Sequence, residues 1–329
     1  MEKSIKVAVW GFGRLGEFHC QKVEKSPLAS LSFIVEPSHE RALLAKKSFP
    51  QATVLSSDDA LKLGSDFFSC FDAVVIASPT STHRDLSLLM LKEGRHIFCE
   101  KPLCRSYEEA IYLEQQHALA EEQHQKKIIF QVGHIERFWP FWQESQLESF
   151  KDYLNPPFHL SFTRLAPYTA RAKDVDVLLD LMIHDVDLMN LLVPDLQEED
   201  PLEIITYEEK SCSEFIDVLY VDFLFSHKRK ISFRAHRDYV KTVREVELIN
   251  ESGTLLFDTQ LGKTFLSTAK EGKSENAVEV ISYPKQDNLL AEHLEFYSAI
   301  NERRDPQVSI GDAVAALKWI DYVKQNLHS

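Results

Sequence analysis

The sequence predicts a two-domain α/β architecture: a doubly wound parallel sheet, then an α+β domain around a mostly antiparallel sheet. Three observations predict it. Residues 1–125 alternate short strands with helices, and those strands are continuous apolar runs of the kind buried on both faces. From about residue 128 the strands lengthen and partly alternate polar with apolar, and short polar turns such as 226–229 and 251–253 join the later ones. The chain has 329 residues, more than one ordinary core holds. The expected domains are 1–125 and 126–329.

In the first domain, 4–10 (SIKVAVW) is a strand, and 14–26 is a helix stopped by Pro27. Residues 30–36 (SLSFIVE) form the second strand. Residues 38–49 form a helix with Ser38 as N-cap and Pro50 at its end. A weak strand at 53–55, a strand at 72–77 (DAVVIA), a helix over 82–93 and a strand at 96–99 follow. Ser106 and Glu109 make a capping box that opens a helix to about residue 123. Parallel strands joined by helices imply right-handed crossovers. In the second domain, strands are expected at 128–133, 158–165, 216–225, 229–236, 242–249, 253–258 and 263–268, with a helix near 177–193. Residues 194–201 (PDLQEEDP) read as an acidic surface loop. The last helix, 311–327, spaces Ala313, Leu317, Ile320 and Val323 for one face and is a candidate to pack back on the first domain.

Composition narrows the function classes. Hydrophobic residues make up 44% and charged residues 27%, as in globular proteins. No apolar run approaches the roughly 20 residues of a membrane span. The N-terminus enters a strand directly, so no secretory leader is expected. The five cysteines are scattered and form no Cys-x-x-Cys pair, which suits a reducing compartment; the expected location is the cytoplasm. A net charge of −14 argues against nucleic acid and anionic membranes as partners. It leaves room for a phosphorylated small molecule, because a few local arginines outweigh the global field at close range.

Four segments carry chemistry. Residues 11–16 (GFGRLG) follow an apolar strand and open a helix, and Glu36 closes the next strand. Gly11 permits the tight turn, Gly13 leaves bare backbone for a pyrophosphate, and Gly16 lets helix and strand pack closely. Phe12, Arg14 and Leu15 complete the loop, and the helix N-terminus offers N–H groups to the phosphates. Glu36 suits both ribose hydroxyls and would repel a 2′-phosphate, which favours NAD(H) over NADP(H); Arg41, a turn further on, pulls the other way. Ser78, Pro79 and Thr80 follow the fourth strand where ligands sit in such sheets, with His83 just inside the next helix. Glu100, Lys101 and Pro102 follow the fifth strand. A lysine there either pairs with Glu100 or, partly buried, donates to an alkoxide. Asp180, His184 and Asp187 stand at i, i+4 and i+7 and are expected on one helical face. The histidine is either a satisfied core pair or a general base whose tautomer the aspartate sets. Two carboxylates and one histidine make a metal site the weakest option, and no metal is expected.

With these pieces in order, the chain resembles the Gfo/Idh/MocA oxidoreductase family over nearly its whole length. The resemblance rests on GFGRLG (11–16), ASPTSTH (77–83), EKP (100–102) and D-x-x-x-H-x-x-D (180–187). It implies a Rossmann first domain that binds NAD, and a second domain whose open sheet makes homodimers or homotetramers. It also implies that Lys101, Asp180 and His184 are catalytic and that Glu100 belongs to the cofactor site. A narrower resemblance is carried by VGHIERFWP (132–140), FTRLAPY (162–168), DVLLDLMIHDVDLM (176–189) and RAHRDYVKTVR (234–244). It is to the branch that oxidises UDP-N-acetylglucosamine at C3, ahead of amination to a 2,3-diamino sugar for lipid A. This implies a nucleotide-sugar partner met by Lys101, His134, Arg137, Arg164, Arg171, His184 and Arg237. The chain departs from that branch at Trp139 (usually Asn), near Asp176 (usually Gly) and at His236 (usually Ser). Guanidinium forks suit diphosphate oxygens independently of the resemblance. Among Arg137, Arg164, Arg171, Arg237 and Arg244, at least two are expected to pair instead with the chain's own carboxylates. The alternatives are a dehydrogenase of a free sugar or polyol such as myo-inositol, a glycosidase using tightly held NAD, and a non-catalytic sensor of dinucleotide and sugar.

Overall fold

A computed structural model describes residues 4–143, 147–148, 150–168, 176–268 and 278–327. The chain divides into two compact units, Met1–Ile135 with Asp287–Val314, and Glu136–Gln286 with Ala315–Ser329. Residues 126–135 and 287–314, assigned from the sequence to the second domain, group with the first unit. The C-terminal helix has its first turn in the first unit and the rest in the second.

The first unit is a six-stranded parallel sheet in the order β3-β2-β1-β4-β5-β6. Its strands are β1 (Ile5–Trp10), β2 (Ala29–Val35), β3 (Thr53–Leu55), β4 (Ala73–Ile76), β5 (His96–Cys99) and β6 (Phe130–Val132). The connecting helices are α1 (Arg14–Lys25), α2 (His39–Ser48), α3 (Ser57–Leu63), α4 (Ser65–Phe68), α5 (Thr80–Lys92) and α6 (Tyr107–His124). This is the strand order of a dinucleotide-binding sheet. Every residue of β4 is buried, and Lys6 is the one exposed residue of β1. Ser38 and Ser106 cap α2 and α6 by accepting the Arg41 and Glu109 N–H groups, as their sequences suggest. The expected strand at 128–133 does not start the second sheet. It is β6, paired parallel to β5 (Cys99↔Val132), and Phe130, Gln131 and Val132 are all buried as a doubly covered strand requires.

The second unit holds an eight-stranded sheet in the order β14-β13-β12-β11-β7-β10-β9-β8. Its strands are β7 (Phe158–Leu165), β8 (Glu203–Glu209), β9 (Val218–Phe225), β10 (Arg229–His236), β11 (Val243–Asn250), β12 (Gly253–Asp258), β13 (Lys263–Thr268) and β14 (Val278–Ser282). All pairs are antiparallel except β7 with β10, whose register stacks Phe162 on Phe233 at 5.1 Å. Along β7 buried and half-buried residues alternate strictly, so one face is core. A π-helical turn, Leu178–Met182, leads into α7 (Ile183–Leu192). Two further helices are α8 (Asn288–Glu302) and α9 (Ile310–Gln325). In the second unit Trp319 of α9 packs on Phe223 and Phe225.

Buried ion pairs set the rotation of α7 against its neighbours. Arg137 donates to both oxygens of Asp187, at 2.8 and 2.7 Å. Arg164 of β7 donates to Asp185 at 2.7 Å and to Glu136 at 3.0 Å. Away from α7, Asp217 accepts the Arg237 Nε–H at 2.7 Å and the N–H groups of Ser211, Cys212 and Ser213. A buried pair adds little net stability over an apolar replacement, but removing one partner strands the other charge. Arg164→Met, which leaves Asp185 and Glu136 buried together, is expected to cost about 3–5 kcal/mol in urea unfolding; a loss under about 1 kcal/mol contradicts the pairing. Burial pushes the Asp217 carboxyl up, but its N–H donors and Arg237 outweigh that and hold it well below the carboxylate range. Its contribution is therefore present above the unfolded value of about 4 and lost as pH falls. The stability gap between the parent and Asp217→Asn should be large at neutral pH and shrink on acidification, as read by urea melts at several pH values.

Candidate dinucleotide cleft and catalytic residues

The carboxyl ends of β1, β2 and β4 open on a cleft of about 680 Å³, within the first unit. Gly11, Gly13, Arg14, Leu15, Glu36, Ser78 and Pro79 line it, with Arg41. The three loop glycines have different reasons to be small. Gly11 has φ +100°, and a Cβ there would lie 2.7 Å from the Ala77 carbonyl oxygen. A Cβ on Gly16 would strike the Gly11 oxygen at 2.0 Å. These two are demanded by folding. A Cβ on Gly13 would touch only Arg41 Nη1, at 3.7 Å. The fold does not need that glycine, and its bare face is turned to the cleft. Gly13 also caps α1 with no side-chain bond to the first turn, whose N–H groups suit an anion.

Glu36 ties this loop to the end of β2. Its Oε2 accepts the Phe12 N–H at 2.7 Å and its Oε1 accepts the Ser38 N–H at 2.8 Å. Each oxygen keeps a lone pair for a ribose hydroxyl. The residues present therefore fit an adenine dinucleotide: amides for the pyrophosphate, a carboxylate for the ribose, apolar Leu15, Leu61 and Pro79 for the flat rings.

Several expected cofactor residues take other roles. The Phe12 ring belongs to the core, edge-on to Phe49 at 5.8 Å, and only its backbone serves the loop. Gly16 packs behind the loop. Thr82, not Thr80, lines the cleft. His83 is 1% exposed, and its ring nitrogens lie 2.8 Å from the carbonyl oxygens of Ser78 and Pro102. It braces the turn after β4 against the turn after β5. Glu100 is buried against His19, at 2.8 Å. Trp10, Ser57, Leu61 and Leu86 also line the cleft. Sequence reasoning missed them, because no local spacing marks them; in the structure Leu61 is an apolar residue left half-exposed.

Lys101 stands two residues past the end of β5 and is half-buried, with its backbone N–H 3.2 Å from Glu100 Oε2. In the second unit, Asp180 and His184 are both half-buried while Leu179, Met182, Ile183 and Asp185 around them are buried. Asp187 is fully buried and bonded to Arg137. The π turn that contains Asp180 has i→i+5 bonds, which shift the phase of Asp180 relative to Asp187; His184 and Asp187 remain three residues apart on one regular helix. Asp185 and Asp187, anchored to Arg164 and Arg137, fix α7 so that His184 stays on the accessible side.

The arginines expected to meet a diphosphate are corrected by the same pairs. Arg137, Arg164 and Arg237 are each at most 5% exposed, and their forks are taken by Asp187, Asp185 with Glu136, and Asp217. Arg244 is half-exposed, 4.0 Å from Glu136. Arg171 lies outside the described residues. His134 is fully buried just after β6. Of the three departures, Trp139 donates its indole N–H to Glu136 at 3.0 Å, Asp176 accepts the Ile216 N–H at 3.0 Å, and His236 ends β10 beside Tyr239.

Residues 5–134 match the family model described as the oxidoreductase family, NAD-binding Rossmann fold. Over 193 residues the chain is 34% identical to the UDP-N-acetylglucosamine 3-dehydrogenase of Acidithiobacillus ferrooxidans, covering 57% of this chain and 54% of that one. Over 198 residues it is 30% identical to the scyllo-inositol 2-dehydrogenase (NAD(+)) of Bacillus subtilis, covering 59% and 55%. These matches span about half the length of those relatives. A solved structure of the Acidithiobacillus enzyme superposes with a TM-score of 0.82 at 25% identity, over 98% of this chain and 97% of that one.

Gly13→Val is expected to lower NADH affinity at least tenfold, about 1.4 kcal/mol, with the melting temperature unchanged. Glu36→Ala should raise NADPH affinity relative to NADH, because Arg41 remains. Fluorescence titration of both cofactors reads each; unchanged affinities would contradict the cleft assignment.

Proposed function

We propose that this chain belongs to the Gfo/Idh/MocA oxidoreductase family, whose model residues 5–134 match, and that it oxidises a secondary hydroxyl of a sugar, namely C3 of UDP-N-acetylglucosamine. The observation that carries the reaction class is a dinucleotide cleft in a sheet whose fifth strand is followed by Glu100 and Lys101, in a chain that leaves Asp180 and His184 half-buried at the start of α7. The relative at 34% identity supports the sugar.

NAD+, when bound, supplies the acceptor for the hydride that leaves the carbinol carbon. His184 takes the hydroxyl proton as general base. Asp180 holds the imidazole in the working tautomer. The Lys101 ammonium donates to the oxygen as its negative charge develops, and a charge-assisted bond is strongest at that moment. Asp187 has no part, being spent on Arg137.

A second reading is a polyol dehydrogenase acting on an inositol. What favours it is that Arg137, Arg164 and Arg237 are already neutralised by buried carboxylates, which leaves fewer cations for a diphosphate. The 30% identity to a scyllo-inositol dehydrogenase points the same way.

A panel of UDP-N-acetylglucosamine, UDP-glucose, myo-inositol and scyllo-inositol with NAD+ separates the two, read by nicotinamide absorbance with an aminotransferase added to draw off the ketone. The first reading expects net NADH from UDP-N-acetylglucosamine above all. Turnover of inositols alone would replace it with the second. His184→Asn and Lys101→Ala should each lower kcat by about two orders of magnitude or more while NADH still binds. Parent-like turnover in both variants would remove these residues from the chemistry.

A further inference from the structure

A buried chain of hydrogen bonds runs through the first unit to the residue beside Lys101. The Tyr297 hydroxyl lies 2.9 Å from His293 Nδ1, His293 Nε2 lies 2.8 Å from His19 Nδ1, and His19 Nε2 lies 2.8 Å from Glu100 Oε1. His19, His293 and Tyr297 are fully buried. The second Glu100 oxygen accepts the Lys101 N–H. None of the three aromatic residues lines the dinucleotide cleft.

Burial pushes the Glu100 carboxyl up, but the His19 hydrogen bond and the charges of His19, Lys101 and His83 outweigh it and hold it below the usual carboxylate value. An ionised carboxylate only accepts, so His19 donates through Nε2–H. Burial pushes His293 well below the ordinary imidazole range, with His19 and Lys22 adding to it, so its ring carries one N–H and one bare nitrogen. Burial pushes the Tyr297 phenol up, with Cys20 adding to it, so that proton stays. Each of these buried groups has its partner within the chain, and the chain ends on Glu100.

We propose that His19, His293 and Tyr297 are positioning residues for Lys101. Their chain fixes the rotamer and charge of Glu100, and Glu100 holds the turn that carries the lysine. The proposal rests on the reading that Lys101 meets the substrate oxygen.

The test uses the full chain labelled with 15N-histidine, with His19→Gln and His293→Gln for assignment. At neutral pH His19 is expected to carry a proton on Nε2, and His293 to be neutral. In kinetics, His19→Gln keeps an N–H near the place of Nε2 and should hold kcat within about threefold of the parent. His19→Leu should lower kcat about tenfold or more, with parental NADH affinity and a lowered melting temperature, because Glu100 and His293 lose their partner. Its acid limb should move to higher pH, because Glu100 without its donor protonates more readily. No proton on Nε2 of His19, or equal kcat and equal acid limbs in the Gln and Leu variants, would overturn the proposal. Should His19→Leu not fold, Tyr297→Phe takes its place: a shifted His293 Nδ1 resonance and a shifted acid limb are expected, and parental values of both would overturn it. If no sugar is turned over while His19 carries its Nε2 proton, the catalytic reading falls and the chain to Glu100 stands.

Discussion

The carboxylate of Glu36 is the constraint on which the cofactor site depends. It stands at the end of β2, buried to 4% exposure, yet it lines the cleft. By accepting the Phe12 N–H it holds the glycine loop against the sheet, and by accepting the Ser38 N–H it holds the start of α2. Both anchors are backbone donors, so they survive changes of side chain in the loop. The same oxygens have the lone pairs a ribose needs. One residue thus shapes the cleft and offers acceptors to a ribose, while Gly11 and Gly16 are held by close backbone contacts and Gly13 is not.

The second unit solves a different problem. An acidic chain has placed Asp185 and Asp187 inside, where an uncompensated charge would cost several kcal/mol. Arg164 and Arg137 meet them, and the geometry is bidentate or forked. These pairs orient α7, and with it His184, which immediately precedes the first anchored aspartate. The π turn at Leu178–Met182 moves Asp180 into a different phase from Asp187. Such turns are frequent at functional sites.

Much of this was legible in the residues. The parallel sheet showed itself in unbroken apolar runs such as 73–76, and the glycine loop with Glu36 was readable from spacing alone. The NAD preference followed from one carboxylate. What sequence could not show was pairing. An arginine's fork looks the same before a diphosphate and before a buried aspartate, so Arg137, Arg164 and Arg237 read as ligand groups until their partners, 20 to 50 residues away, came into place. The helical wheel at Asp187 failed because a π turn leaves no simple mark in a sequence. β8 went unread because it is an edge strand carrying three glutamates, and α8 because its helical spacing lay beyond the last read strand. The link from His19 to His293 spans 274 residues, and no local pattern announces it.

The most direct test of the central claim is a crystal structure of the full chain with NAD+. The account predicts the pyrophosphate against the backbone of Gly13 and Arg14, the adenosine ribose on both oxygens of Glu36, and the Lys101 ammonium on the nicotinamide side. A dinucleotide bound elsewhere, or seated in this cleft with its ribose away from Glu36, would contradict it.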